Sequence, residues 1–105
     1  MIERLSSLEE LILLAVKALS DDAYGVSVQD MLTKAGQSTT LGAVYASLER
    51  LEQKGHVTAS LGEATAVRGG RRKRLFRPTR GGLGALSAAR SVRTRLLISA
   101  RGGAS

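Results

Sequence analysis

Apolar residues recur at helical spacing from Leu8 onward: Leu8, Leu11, Ile12, Ala15 and Leu19 fall on one side of a helix. Ser7-Leu8-Glu9-Glu10 has the form of a capping box, in which the serine accepts from an orphan amide and Glu10 reaches back to the serine amide. A first helix is therefore predicted over residues 7–19, ending in a Ser20-Asp21-Asp22 turn. A second follows over about 26–35, with Val28, Met31, Leu32 and Ala35 inward and Gly36 as its stop. Thr40 can cap a third helix, whose stripe is Leu41, Val44, Leu48 and Leu51 and whose stop is Gly55. The pattern then changes period. Residues 56–61 alternate as a strand, residues 62–70 are turn-rich, and Arg71 to Arg77 forms a second strand that Pro78 ends. Thr79 is placed to cap a last helix over about 80–100, although Gly81, Gly82 and Gly84 weaken its first turn.

Two helices joined by the short Gln37-Ser38-Thr39 linker fit a helix-turn-helix, and the hairpin after it fits a wing. The predicted fold is mainly α with a small β-hairpin. Residues 1–79 form a winged helix-turn-helix domain, and residues 80–105 form a C-terminal dimerisation helix with a frayed end. Leu86, Ala89, Leu96 and Ala100 make a rough heptad seam for that dimer. Arg93 interrupts the seam and either snorkels outward or pairs with an acid of the first helix across the dimer. A lone surface helix, or a basic amphipathic helix on anionic lipid, are the other readings of this segment.

Charge changes the picture. The net charge is +7, yet residues 1–63 carry five Lys/Arg against nine Asp/Glu, while residues 64–105 carry eleven Lys/Arg and no acid. So asymmetric a basic block calls for a polyanionic partner, unless it is only a solvated tail. The longest apolar run, Leu11 to Val16, is far shorter than the roughly 20 residues a membrane span needs. No basic segment leads an apolar core at the N-terminus, and there are no cysteines to form disulfides or thiolate metal sites. The expectation is a soluble, cytoplasmic protein with no membrane partner, no metal and no cofactor.

The third helix is where a duplex would be met. Its outer side carries Ala43, Ala46 and Arg50, with Gly42 and Ser47 flanking, where an ordinary exposed helix would carry Lys, Glu or Gln. Small residues let a helix backbone approach a surface closely, and the major groove admits a helix. Ser38, Thr39, Thr40 and Ala43 are expected nearest the bases or adjacent phosphates. Tyr45 can pack its ring and extend its hydroxyl to phosphate, and Arg50 reaches backbone or base. Thr40 as a cap only, Tyr45 as a core residue with a wet tip, and Arg50 as an intrahelical partner of a nearby acid are the competing readings. In the hairpin, Arg71, Arg72, Lys73 and Arg74 lie in a stretch with seven cations among residues 68–80, suited to phosphates or a narrow minor groove. Strand alternation puts Arg72 with Arg74 on one face and Arg71 with Lys73 and Leu75 on the other. The glycines nearby lack phosphate-loop or dinucleotide-binding spacing, and the single histidine, His56, stands alone, so no enzyme site is expected.

Taken together, Asp22-Ala23-Tyr24-Gly25-Val26, Leu41 through Gly55, and Gly69 through Thr79 resemble the PadR-type transcriptional regulators. The resemblance runs from about Leu8 to Ala89. It implies a dimeric winged-helix regulator, usually a repressor, in a bacterial cytoplasm, touching DNA with the third helix, with Tyr45 near phosphate, and with the wing. Some relatives answer to phenolic or hydrophobic compounds through a longer C-terminal region. Here that region is short and has no Trp to stack on a flat ligand, which leaves a small-molecule effector open. A winged-helix module that binds RNA or a protein is the alternative function, although RNA recognition generally uses aromatic platforms and this chain has only Tyr24, Tyr45 and Phe76.

Overall fold

A computed structural model describes residues 4–62 and 73–102 of the chain. Helix α1 (Ser7–Leu19) lies at its centre, touching α2 (Gly25–Lys34), α3 (Leu41–Gln53), the hairpin and α4 (Arg80–Gly102). That position explains why α1 is buried over more than one stripe: Ile12, Leu13, Ala15 and Val16 are all in the core. Its cap lies one residue earlier than the sequence pattern indicated. Ser6 accepts from the Glu9 amide at 3.1 Å, and Glu9 Oε1 accepts from the Ser6 amide at 2.8 Å. The register favours Glu9 because Glu9 is buried against α3 and needs partners there, whereas Glu10 is used elsewhere.

The turn at Ser20–Asp22 is one turn of 3-10 helix, and Ala23 beyond it is fully buried. The second helix buries Gly25, Val28 and Leu32. Met31 is only partly buried and Ala35, expected inside, is exposed, because α2 ends at Lys34 and Gly36 turns the chain away with φ of 97°. The third helix buries Val44, Ser47, Leu48 and Leu51 and stops at Gly55, φ 78°.

Strands β1 (Val57–Leu61) and β2 (Arg74–Pro78) pair antiparallel, with Val57 opposite Pro78 and Leu61 opposite Arg74. Phe76 is the hairpin's anchor. Its ring is 1% exposed, and its amide donates to the Ala23 carbonyl at 2.8 Å, so β2 is tied to the α1–α2 connection. Burying a phenylalanine this fully is worth about 2–3 kcal/mol. Arg71, predicted to open the second strand, and Arg72 lie outside the described residues.

Thr79 joins three elements. Its amide donates to the His56 carbonyl at 2.9 Å, its hydroxyl donates to the Gly55 carbonyl at 2.6 Å, and that hydroxyl accepts from the Gly82 amide at 3.0 Å as the cap of α4. Gly82 has a packing role that propensity alone conceals: a Cβ there would stand 2.1 Å from the His56 carbonyl oxygen. A glycine is what lets α4 lie directly on the end of the α3–β1 connection.

The fourth helix packs only over its first half. Leu86 is 7% exposed and belongs to this chain's own core, which removes it from the expected dimer seam. Ala89 is half-buried, Arg93 chelates Glu10 of α1 within the same chain at 2.9–3.2 Å, and every residue from Arg90 to Gly102 is exposed. The bidentate Glu10 pair raises the Arg93 pKa. The free half carries Val92, Leu96, Leu97 and Ile98, each more than half exposed. This projecting helix gives the molecule extents of 63 × 31 × 20 Å and a radius of gyration of 15.8 Å, against about 13 Å for a compact domain of this length. Among the described residues no helix is long and apolar enough to cross a membrane.

Candidate nucleic-acid interface

Thr40 sets the start of α3. Its hydroxyl accepts from the Ala43 amide at 3.0 Å, so the side chain is committed to capping. The turn before it is held by Gln29, whose amide nitrogen donates to the Thr39 carbonyl at 3.0 Å; Thr39 is half-buried and Ser38 exposed. Beyond the cap, Gly42 and Ala46 are exposed and Ala43 is half-buried. Gly42 has helical φ and nothing within 4 Å of where a Cβ would be. Glycine inside a helix costs about 1 kcal/mol relative to alanine, and nothing in the chain's own packing requires it here.

Tyr45 is 46% exposed and borders this small-residue surface. Its ring lies flat against the backbone of Gly25, where a Cβ would come within 2.4–2.6 Å of Cζ, Cε1 and the hydroxyl. Gly25 therefore seats Tyr45, a role the sequence pattern did not reveal; the signal was a glycine directly at a helix start with no turn to make. Ser47 is corrected. It is 0% exposed, because it lies only about 40° around the helix from the core residue Leu51, and its hydroxyl accepts from Arg50 at 3.1 Å. It cannot touch a duplex in this packing.

Arg50 reaches out of α3 but is held by acid and hydroxyl. Its Nε is 3.5 Å from Glu9 Oε2, and its side chain remains about half exposed. Glu9, 1% exposed, also accepts from Lys54 through both oxygens at 2.9 and 3.0 Å. Burial pushes the Glu9 carboxyl up, but the hydrogen bond from Lys54, the Ser6 amide and the Lys54 charge together outweigh it and hold the pKa below the ordinary value. Glu9 thus pins the last turn of α3 to the first turn of α1. The sequence reading missed it, since Glu9 looked like an ordinary first-turn acid.

On the wing, Lys73 sits 4.2 Å from the centroid of the Tyr24 ring. Arg74 shares its strand face with Phe76. It lies 5.3 Å from that ring and donates to Glu52 of α3 at 2.6 Å, with its side chain still 52% exposed. Arg77 donates to Asp21 at 2.6 Å. Arg74 is thus held to α3, Lys73 to the start of α2 and Arg77 to the turn after α1, with the charged heads of the two arginines partly in solvent. Among the described residues there is no cluster of His, Cys, Asp or Glu able to hold a metal ion.

No protein-family model and no curated protein sequence matches the chain. Solved structures do. A PadR-like transcription factor from Bacteroides fragilis superposes with a TM-score of 0.77 at 21% identity, over 90% of this chain and 86% of that one. A PadR-family regulator from Clostridium difficile gives 0.75 at 21% identity, over 91% and 97%. A Bacillus subtilis PadR solved in complex with operator DNA gives 0.67 at 16% identity, over 79% of this chain and 46% of the other. The fold is the PadR-like winged helix, four helices with a two-stranded antiparallel wing.

Proposed function

We propose that this chain, built on the PadR winged-helix fold, is a PadR-type, sequence-specific DNA-binding transcriptional regulator that works as a dimeric repressor in the bacterial cytoplasm and has no catalytic activity. The observation that carries the reading is the outer surface of α3, where Gly42, Ala43 and Ala46 leave the backbone open beside a seated Tyr45. A helix with so little side chain on its exposed side can lie deep in a major groove, and its first turn offers amides and a positive dipole end to phosphate. The Bacillus subtilis PadR, which shares this fold and was solved on operator DNA, supports a DNA-binding reading. In this reading Ser38, Thr39 and Thr40 lie at the groove edge. The Tyr45 hydroxyl reaches a phosphate. Arg50, Lys73 and Arg74 exchange part of their contact with Glu9, Tyr24 and Glu52 for the DNA backbone, joined by Arg71 and Arg72.

Residues 1–79 do the reading and residues 80–105 the pairing. The apolar side chains left exposed on α4, Val92, Leu96 and Leu97, with Ala100 between them and Leu14 on α1, supply the surface for a second copy. A dimer reads two half-sites about 34–36 Å apart. The test is selection of bound sequences from a random duplex pool. Convergence on a motif with two-fold symmetry is expected, and Ala46→Leu should weaken binding to it at least tenfold. A pool that never converges, or one outcompeted equally by folded RNA, overturns the reading.

A further inference from the structure

The outward side of α4 is chemically distinct from the rest of the helix. Leu86, Ala89 and Arg93 define its inner side. Roughly opposite, Ser87, Ser91 and Thr94 follow at i, i+4 and i+7 and line one shallow groove with Arg90 and Arg95, which flank the hydroxyls on either side. Arg80 and Arg101 extend the same side toward the two ends. All seven residues are exposed, and residues 80–102 contain no acid. Arg93 is the arginine of α4 that has an ion pair; none is formed by the other four among the described residues.

The chain itself offers little to neutralise them. Glu9, Glu10, Asp21, Asp30 and Glu52 are already paired with Lys54, Arg93, Arg77, Lys34 and Arg74. Asp22 and Glu49 are left among the described residues, so a second copy is a poor match for this stripe. Leu83 and Ile98, exposed one turn before Ser87 and one turn after Thr94, bracket the groove but stand about 22 Å apart, too sparse an apolar face to bury in a lipid surface. Arginines alternating with hydroxyls are what phosphate oxygens accept from.

We propose that this outward stripe of α4 is a second DNA-binding surface, holding the phosphate backbone of duplex DNA outside the segment read by α3. The proposal rests on the DNA-binding function proposed above and adds a second contact to it. The helix leaves the hairpin at Pro78, the end of β2 remote from the wing tip, and runs about 34 Å from there. DNA reaching it must extend past the half-site or belong to another duplex.

The full chain carrying Arg90→Gln with Arg95→Gln is compared with wild type on two duplexes, one just covering the selected site and one of about three times that length. Each lost phosphate contact reduces the log–log salt slope by about 0.9. On the long duplex the slope should fall by about 2 in magnitude for each protomer engaged and the affinity several-fold, while the short duplex is bound as before. Ser91→Asp, an exposed change that keeps both arginines, should reproduce the direction, and an unchanged thermal melt shows that the fold is retained. No slope change on the long duplex overturns the proposal. So does an equal change on both lengths, which would place the stripe in the primary footprint. Loss of binding to phosphatidylserine vesicles with DNA slopes unaltered would assign the stripe to lipid instead. Failure of sequence-specific binding shows separately, on the short duplex with Ala46→Leu.

Discussion

Three glycines separate three reasons for having no side chain. Gly42 is helical and open on all sides, so Gly42→Ala should raise stability by about 0.5–1 kcal/mol in urea unfolding. Any loss of DNA affinity then reports the groove and not the fold. Gly82 lies on the His56 carbonyl, and relieving a 2.1 Å approach to backbone requires moving α4. Gly82→Ala should cost about 2 kcal/mol or more, and an equal or higher melting temperature would refute that packing role. Gly25 meets only a side chain. Gly25→Ala should therefore displace the Tyr45 ring, with little loss of helix content and a drop in DNA affinity matching Tyr45→Ala. The sequence marks all three letters alike. What distinguishes them is a neighbour some 20 to 30 residues away, which no local pattern contains.

At the scale of elements, periodicity was enough to place four helices and a hairpin, because amphipathic stripes and glycine stops are local signals. It was insufficient where a helix has more than one neighbour. Ser47 looks like a flank of the exposed surface until the folded chain buries it on the Leu51 side of α3, and Leu86 looks like a free heptad position until the core closes over it. The cap of α1 shifted by one residue for the same reason: the pairing of Glu9 with Lys54, 45 residues away, selects which glutamate completes the box. That pairing also makes stability depend on pH. The Glu9 carboxyl has a lowered pKa in the folded chain, so its contribution is complete above the ordinary carboxylate range, near about 4.3, and is lost as pH falls through the depressed value. Glu9→Gln should cost about 3 kcal/mol at neutral pH by leaving Lys54 without its carboxylate. The gap to wild type should narrow toward pH 3. A constant gap across that range would remove Glu9 as an ionised link.

For the whole molecule, the asymmetric charge is the clearest pointer from composition to the proposed partner, but it does not say which surface carries it. The structure divides the basic block among a wing whose Arg74 leans on α3 and whose Arg77 leans on Asp21, a projecting helix, and a segment beyond the described residues. Leu96→Glu tests the pairing role of that helix: sedimentation at micromolar concentration should show wild type as a dimer and the variant as a monomer. A monomeric wild type would leave the exposed leucines without their proposed partner. A monomer retaining a folded wing should still bind one half-site, with roughly half the salt slope of the dimer.

The junction at Thr79 has a mechanical consequence. One residue clamps the base of the wing, the close of α3 and the origin of α4, and Gly82 leaves no cushioning atoms between them. The long helix is then a lever held to the winged domain at this junction, by Leu86 in the core and by the Arg93–Glu10 pair. In the proposed dimer the place where two such helices cross sets the gauge between the two winged domains, so lengthening α4 by one residue before Leu96, about 100° of rotation and 1.5 Å, should change which operator spacing is accepted while leaving each half-site's sequence the same.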